Sequence, residues 1–229
     1  MKIEVLADVD AVARQAAALI AQAAREDVAA RGQFVMAVSG GKTPWQMLRA
    51  LANEDVPWQA IQIVQVDERI APAGDPDRNL THLHASLLEH APIRPEQIHA
   101  MPVESADLTV AANSYSAILE SLAGKPPVLD LVHLGLGPDG HTASLIPGDP
   151  VLEVDSVDVA LTGFYQGRRR MTLTYPLLNR ARRLLWLVTG GDKAGPLVKL
   201  RNGDPAIPAG RVNQSNATVL ADGAAAAQL

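Results

Sequence analysis

Cysteine is absent from this chain. That excludes disulfides, thiolate nucleophiles and Cys-based metal sites together. Aromatic residues are scarce, at 3%, so a core must be built from Ala, Val, Leu and Ile. Positive charge is not in excess either. The net charge is −5, which argues against general binding to nucleic acid or to an acidic membrane. An anionic ligand would need a local cluster of cations set against a repulsive overall field. No apolar run approaches the ~20 residues of a membrane span, and no leader-like segment precedes the first strand pattern at Lys2–Leu6. A soluble cytoplasmic protein is the expectation. Internal repeats and linker-like stretches are missing as well, so residues 1–229 read as one domain, long enough to bury a real core. The 48% apolar and 20% charged residues are those of an ordinary globule.

What is present is glycine punctuation after apolar runs. The central case starts at Val128 as a continuous apolar stretch, the pattern of a strand buried on both faces. It breaks at Gly135, Gly137 and Gly140, which bracket Asp139 and His141. An open α/β sheet binds ligands at the carboxyl ends of its strands, so this turn sits where such a sheet does its chemistry. His141 is the natural general base, and Asp139 the group to orient it or hold its tautomer. On spacing alone, a solvated turn with a capping Asp and an incidental His fits equally well.

The same grammar recurs along the chain. Apolar spacing predicts a helix over Asp8–Ala30, with Asp8 as N-cap and Gly32 ending it. Phe34–Val38 reads as a buried strand that turns out through Ser39-Gly40-Gly41. Thr43 as cap and Pro44 at the first helical position then predict a helix from Pro44 to about Ala52. Bare backbone N–H groups beside a helix start make an anion site, although the spacing is not that of a nucleotide P-loop. Ile61–Val66 is the next strand and ends in Asp67-Glu68-Arg69. Three charges after a buried run must meet solvent, each other or a ligand. On the ligand reading, Arg69 and Asp67 contact the ligand, and the Ala71–Arg78 loop forms a flap.

Further on, Leu80–His90 and Leu108–Leu122 read as helices, and Val154–Leu161, Arg170–Thr174, Leu184–Val188 and Thr218–Leu220 as strands, with a polar loop around Gly163–Arg169. His82, His84 and His90 lack metal-ligand spacing, and His133, within a strand, reads as a core histidine. The fold class expected is α/β: a single-domain, Rossmann-like, mostly parallel sheet with helices on both faces.

Gly135-Leu-Gly-Pro-Asp-Gly-His-Thr-Ala-Ser-Leu-Ile-Pro-Gly148 resembles the signature of the 6-phosphogluconolactonase family, which shares a superfamily with the glucosamine-6-phosphate isomerases. Ser39-Gly-Gly-Lys-Thr-Pro44, and Val66-Asp-Glu-Arg-Ile-Ala-Pro72 with Asp75 and Asn79, match in order and spacing, and weaker matches fall near Arg170 and Lys193. The resemblance implies hydrolysis of 6-phospho-D-glucono-1,5-lactone in the oxidative pentose phosphate pathway. It places substrate phosphate at Ser39, Gly40 and Gly41, with Arg170 and Lys193 reaching it. His141 and Asp139 are the implied base and its partner, with Arg69 or glycine N–H groups facing the oxyanion. No metal or cofactor is expected. The implied partner is a small sugar-phosphate lactone, and the implied assembly a monomer or weak homodimer. One departure is Arg78, where the family carries Ser before the asparagine.

Two rivals share the likeness. The isomerases carry a glutamate five residues after the histidine, where this chain has Ile146. An aliphatic side chain cannot shuttle protons, which favours the lactonase. A sugar-phosphate-sensing regulator would bring a DNA-binding domain, and there is no room for a helix-turn-helix before the first strand and no basic recognition helix.

Overall fold

The computed structural model describes residues 1–229 throughout. In chain order the elements are β1 (Lys2–Leu6), α1 (Val9–Arg31), β2 (Phe34–Val38), α2 (Lys42–Leu51), β3 (Ile61–Gln65), β4 (Asp67–Arg69), α3 (Asn79–Leu83), β5 (Ile98–His99), α4 (Leu108–Ala123), β6 (Leu131–Gly135), β7 (Val159–Leu161), β8 (Arg170–Leu173), α5 (Tyr175–Arg180), β9 (Leu184–Val188), α6 (Ala194–Arg201) and β10 (Ala217–Asp222). Local chemistry sets several bounds. The Asp8 carboxylate accepts the N–H of Ala11 at 2.7 Å and starts α1. Gly32, at φ 82°, closes it with a bond to the Val28 carbonyl.

The seven-stranded sheet has the order β1-β10-β9-β6-β2-β3-β5 and is parallel throughout. Because side chains alternate across a strand, each strand feeds two cores. Phe34, Met36 and Val38 of β2 join α1 and α2 on one face, while Val35 and Ala37 face the other. Strand β9 does the same, with Leu185 and Leu187 on the α1 side and Leu184, Trp186 and Val188 toward α4, α5 and α6. Alanines 13, 16, 17, 21, 23 and 24 of α1 are all buried, which lets the helix lie close to the sheet in a core short of aromatics. Three of the few large rings, Trp186, Tyr115 and Phe34, are fully buried, whereas Phe164 is exposed. No helix is long and apolar enough to cross a membrane.

The expected α/β class with a mostly parallel sheet and helices on both faces is what forms. Four local expectations are corrected. Helix α2 starts at Lys42, capped by Gly41 at φ 124°, so Pro44 lies inside the first turn and the Thr43 hydroxyl bonds Thr189 at 2.7 Å instead of capping. The Leu80–His90 helix is a short α3 followed by a π turn over His84–Leu88. Only Val159–Leu161 of the Val154–Leu161 strand is extended, because Pro150–Glu153 takes a 3-10 turn that runs on to a bend. Asp67–Arg69 is itself a strand. It leaves the main sheet and pairs antiparallel with β8, which pairs with β7, making a second, three-stranded sheet.

Candidate active site

The chain reverses direction across the sheet between β2 and β6. After β2 it proceeds outward to β3 and β5, and after β6 it proceeds the other way to β9. These neighbours pair in register, Met36 with Leu131 and Ala37 with Val132. Their following turns are therefore driven apart, and a crevice opens at their carboxyl ends. Ser39-Gly40-Gly41 follows β2, and Gly135–His141 follows β6. A cleft of about 370 Å³ lies there, lined by Ser39, Gly40, Gly41, Asp67, Arg69, Arg170, Lys193 and His141 among others. Every substrate-binding residue expected from the sequence thus reaches one cavity. Asp139 stands directly behind His141.

The His141–Asp139 pair is well defined. His141 Nδ1 lies 2.6 Å from Asp139 Oδ1, which also accepts the His141 backbone N–H at 3.1 Å. An ionised carboxylate has no proton to give, so the ring proton sits on Nδ1 and Nε2 is left with its lone pair. Burial pushes the Asp139 carboxyl up, but the His141 N–H groups, the ring's charge whenever it is protonated and the Tyr165 hydroxyl together hold it below its ordinary value. Gly137 is required here, because a Cβ on it would collide with His141 Nδ1 and Asp139 Oδ1. His141 keeps 22% side-chain exposure, enough to meet a ligand.

The wall facing it is cationic. Arg69 and Arg170 are directly opposite across the β4–β8 ladder. Like charges in that relation repel unless a carboxylate or an anion lies between them. Burial pushes the Arg170 guanidinium below its ordinary value; Asp67 opposes this and Arg69 adds to it. Arg69 donates to the Asn79 amide oxygen and to the Asp77 carbonyl, the latter at 3.1 Å. Lys193, in the turn before α6, bonds Asp192 at 2.7 Å.

Helix α2 supplies a second kind of positive end. Trp45 is the first residue bonded back into the helix, to the Gly41 carbonyl at 3.1 Å. The N–H groups of Lys42 and Thr43 have no intrahelical acceptor and point at the cleft end. Ser39 behaves differently from its neighbours. Its hydroxyl donates to the His133 carbonyl at 2.9 Å, and its N–H to His133 Nδ1 at 3.2 Å. Its N–H and hydroxyl proton are thus given to His133, and the glycines and α2 leave the free N–H groups at the cleft.

Several contacts within the site carried no signal in sequence. Ser144, fully buried, donates to Asp67 Oδ2 at 2.6 Å, and Asn79 reaches Asp67 Oδ1 at 3.3 Å. Glu68, also fully buried, accepts the N–H groups of Arg69, Asn79 and Leu80, each at 2.8 Å, and so fixes the start of α3. A Cβ on Gly40 would collide with Asn79, so the first turn and α3 touch only because that residue is glycine. Arg78 is buried. It pairs with Glu68 at 3.1 Å and Glu104 at 2.9 Å and donates to the Ala71 carbonyl, so it braces the loop and does not line the cleft. The Ala71–Arg78 loop, expected as a flap, is tied to Arg168 through Asp75 at 3.0 Å and Asp77 at 2.8 Å, and none of its residues lines the cleft. No three His, Asp or Glu side chains converge closely enough to hold a metal ion.

With the geometry in place, likeness to known proteins becomes informative. The sequence description of glucosamine-6-phosphate isomerases/6-phosphogluconolactonase matches residues 7–221. The chain belongs to that family. It is 40% identical over 170 residues to a 6-phosphogluconolactonase of Synechocystis, covering 72% of this chain and 70% of the relative. To the 6-phosphogluconolactonase of Mycobacterium tuberculosis it is 36% identical, covering 99% and 98%. The solved 6-phosphogluconolactonase of Trypanosoma brucei superposes with a TM-score of 0.88 at 26% identity, over 100% of this chain and 98% of that one. A monomeric glucosamine-6-phosphate deaminase superposes with the same TM-score, 0.88, at 21% identity over 100% of both chains. That last likeness shows the fold alone. The backbone of this family therefore serves both chemistries, and side chains must separate them. Ile146, five residues after His141, is buried and does not line the cleft.

Proposed function

We propose that this protein hydrolyses 6-phospho-D-glucono-1,5-lactone to 6-phospho-D-gluconate, the lactone-opening step of the oxidative pentose phosphate pathway. The observation that carries this reading is one cleft holding a single oriented imidazole, His141, together with Arg69, Arg170 and Lys193. A six-membered lactone is already an activated ester, so one base and a place for the oxyanion suffice. His141 Nε2 takes a proton from water as its oxygen adds to the lactone carbonyl. The tetrahedral oxyanion is met by Arg69 or by glycine N–H groups. As it collapses, the bond from the carbonyl carbon to the ring oxygen breaks, and the imidazolium returns its proton to that oxygen. General-base help contributes roughly 10²–10⁴-fold and one oxyanion donor about 10²–10³-fold.

The phosphate lies against Gly40, Gly41, the start of α2, Arg170 and Lys193, with Asp67 accepting from a sugar hydroxyl. This remote hold fixes the ring near the base. Hydrolysis changes no oxidation state, so the reaction calls for no redox cofactor. The reading takes residues 1–229 as one domain, supported by β1 and β10, from opposite ends of the chain, pairing side by side. It further takes the protein as cytoplasmic and as a monomer or weak homodimer.

Offering 6-phosphogluconolactone and glucosamine-6-phosphate to the same preparation tests the reading. Acid release above the spontaneous rate, with no ammonia, is expected. Ammonia release at a rate comparable to acid release would overturn it in favour of the isomerase branch.

A further inference from the structure

The segment between β7 and β8 carries residues that the reaction above does not use. Its tip is a two-residue turn. Tyr165 and Arg168 exchange both backbone hydrogen bonds, at 3.0 and 3.2 Å, around Gln166 at φ 50° and Gly167 at φ 80°. Two successive left-handed residues give the turn whose twist suits an antiparallel hairpin. Arg168 anchors the tip from outside through Asp75 and Asp77.

So held, the Tyr165 side chain touches three parts of the site. Its hydroxyl donates to Asp139 Oδ2 at 3.1 Å, the oxygen that His141 does not use. Its ring meets the His141 ring edge-on, with centroids 5.6 Å apart at 66°. The Arg170 guanidinium lies over its face, 5.0 Å from the centroid. A carboxylate bonded through one oxygen can still swing about its Cβ–Cγ bond. A second bond at the other oxygen fixes its plane, and with it the partner that keeps the imidazole proton on Nδ1.

We propose that Tyr165 is a positioning residue for the lactone-opening reaction, pinning Asp139 behind His141 and backing Arg170 with the same ring. The proposal rests on the lactonase reading for its effect on rate, and on geometry alone for its effect on His141. Removing only the hydroxyl lets the carboxylate swing and lowers the fraction of enzyme with a usable base. Removing the ring also frees Arg170, which faces substrate phosphate.

The experiment compares wild type, Tyr165→Phe and Tyr165→Ala on 6-phosphogluconolactone, and records the ring ¹⁵N signals of His141 in each protein without substrate. Those signals are assigned by their loss in His141→Asn. Tyr165→Phe should lower kcat by about tenfold at unchanged KM and shift the His141 signals. Tyr165→Ala should raise KM as well. Wild-type kcat in Tyr165→Phe, or a lowered kcat with His141 signals unmoved, would overturn the proposal. A wild-type protein that does not hydrolyse the lactone would sink the functional reading, and His141 signals shifted by Tyr165→Phe would still uphold the coupling. Should the alanine variant fail to fold, the phenylalanine variant, which differs by one hydroxyl, decides the matter.

Discussion

The buried Ser144 hydroxyl is bonded to a carboxylate oxygen of Asp67, 2.6 Å away. The two residues are far apart in sequence and belong to different parts of the fold, the turn after β6 and the short strand β4. Asp67 lines the cleft, so the hydroxyl holds one of its oxygens while Asn79 approaches the other. Ser144→Ala leaves a buried carboxylate oxygen without that donor, which costs about 1–3 kcal/mol. Lowered stability in urea unfolding, together with a raised KM for the lactone, is expected. Unchanged values of both would show that Asp67 does not depend on Ser144.

His141→Asn should keep the fold and reduce turnover by about 10²-fold or more, since no other imidazole lines the cleft. Asp139→Asn should cost less if it acts only by orientation. The check is kcat for both variants beside their circular dichroism. Near wild-type turnover in His141→Asn would remove that residue from the mechanism.

Lys193→Ala and Arg170→Ala should each weaken use of the phosphorylated lactone by roughly 1.5–3 kcal/mol, the worth of a charge-assisted hydrogen bond. Unphosphorylated gluconolactone, lacking the group they hold, should be affected little. Equal losses on both substrates would mean that these cations support the fold rather than the phosphate. The directly opposed Arg69 and Arg170 make the same point from the other side. Bound inorganic phosphate should raise the melting temperature of wild type more than that of Arg170→Ala.

His133 sets a pH dependence of stability. It is fully buried, its Nδ1 accepts the Ser39 N–H, and burial pushes its pKa down to about 4. In the unfolded chain the ring titrates near ~6.5. Between those values the unfolded state binds more protons, so stability is full above about pH 6.5 and falls as the pH drops toward about 4. The loss expected by pH 4.5 is about 2–3 kcal/mol. Urea midpoints at pH 7 and 4.5, for wild type and His133→Leu, isolate this contribution from that of the carboxylates. A variant with the same pH slope as wild type would exclude His133 as its source.

Much of this was legible in one dimension because it is local. Alternation and apolar runs mark β2, β3, β6 and β9, since a parallel strand covered on both faces must be apolar throughout. Asp8 and Gly32 mark the ends of α1 through bonds that span only a few residues. Asp139 and His141 are two residues apart, so their pairing could be anticipated from the turn itself. What sequence reasoning passed over lies where a bond crosses elements. Ser144 to Asp67, Glu68 to α3 and Tyr165 to Asp139 all join segments that no local pattern links.

The sequence by itself determined the fold class and the two glycine turns, because each depends on residue type and short spacing. Tertiary structure alone decided that Asp67-Glu68-Arg69 leaves the main sheet to face Arg170, that Ser39 turns its hydroxyl to His133, and that Arg78 braces the loop. It also decided that the hairpin at Gln166-Gly167 carries Tyr165 to Asp139 and His141. The physical reason is the same in each case. A charged or polar side chain can satisfy itself in several places, and which partner it meets is fixed only when distant strands pack and remove water from the alternatives.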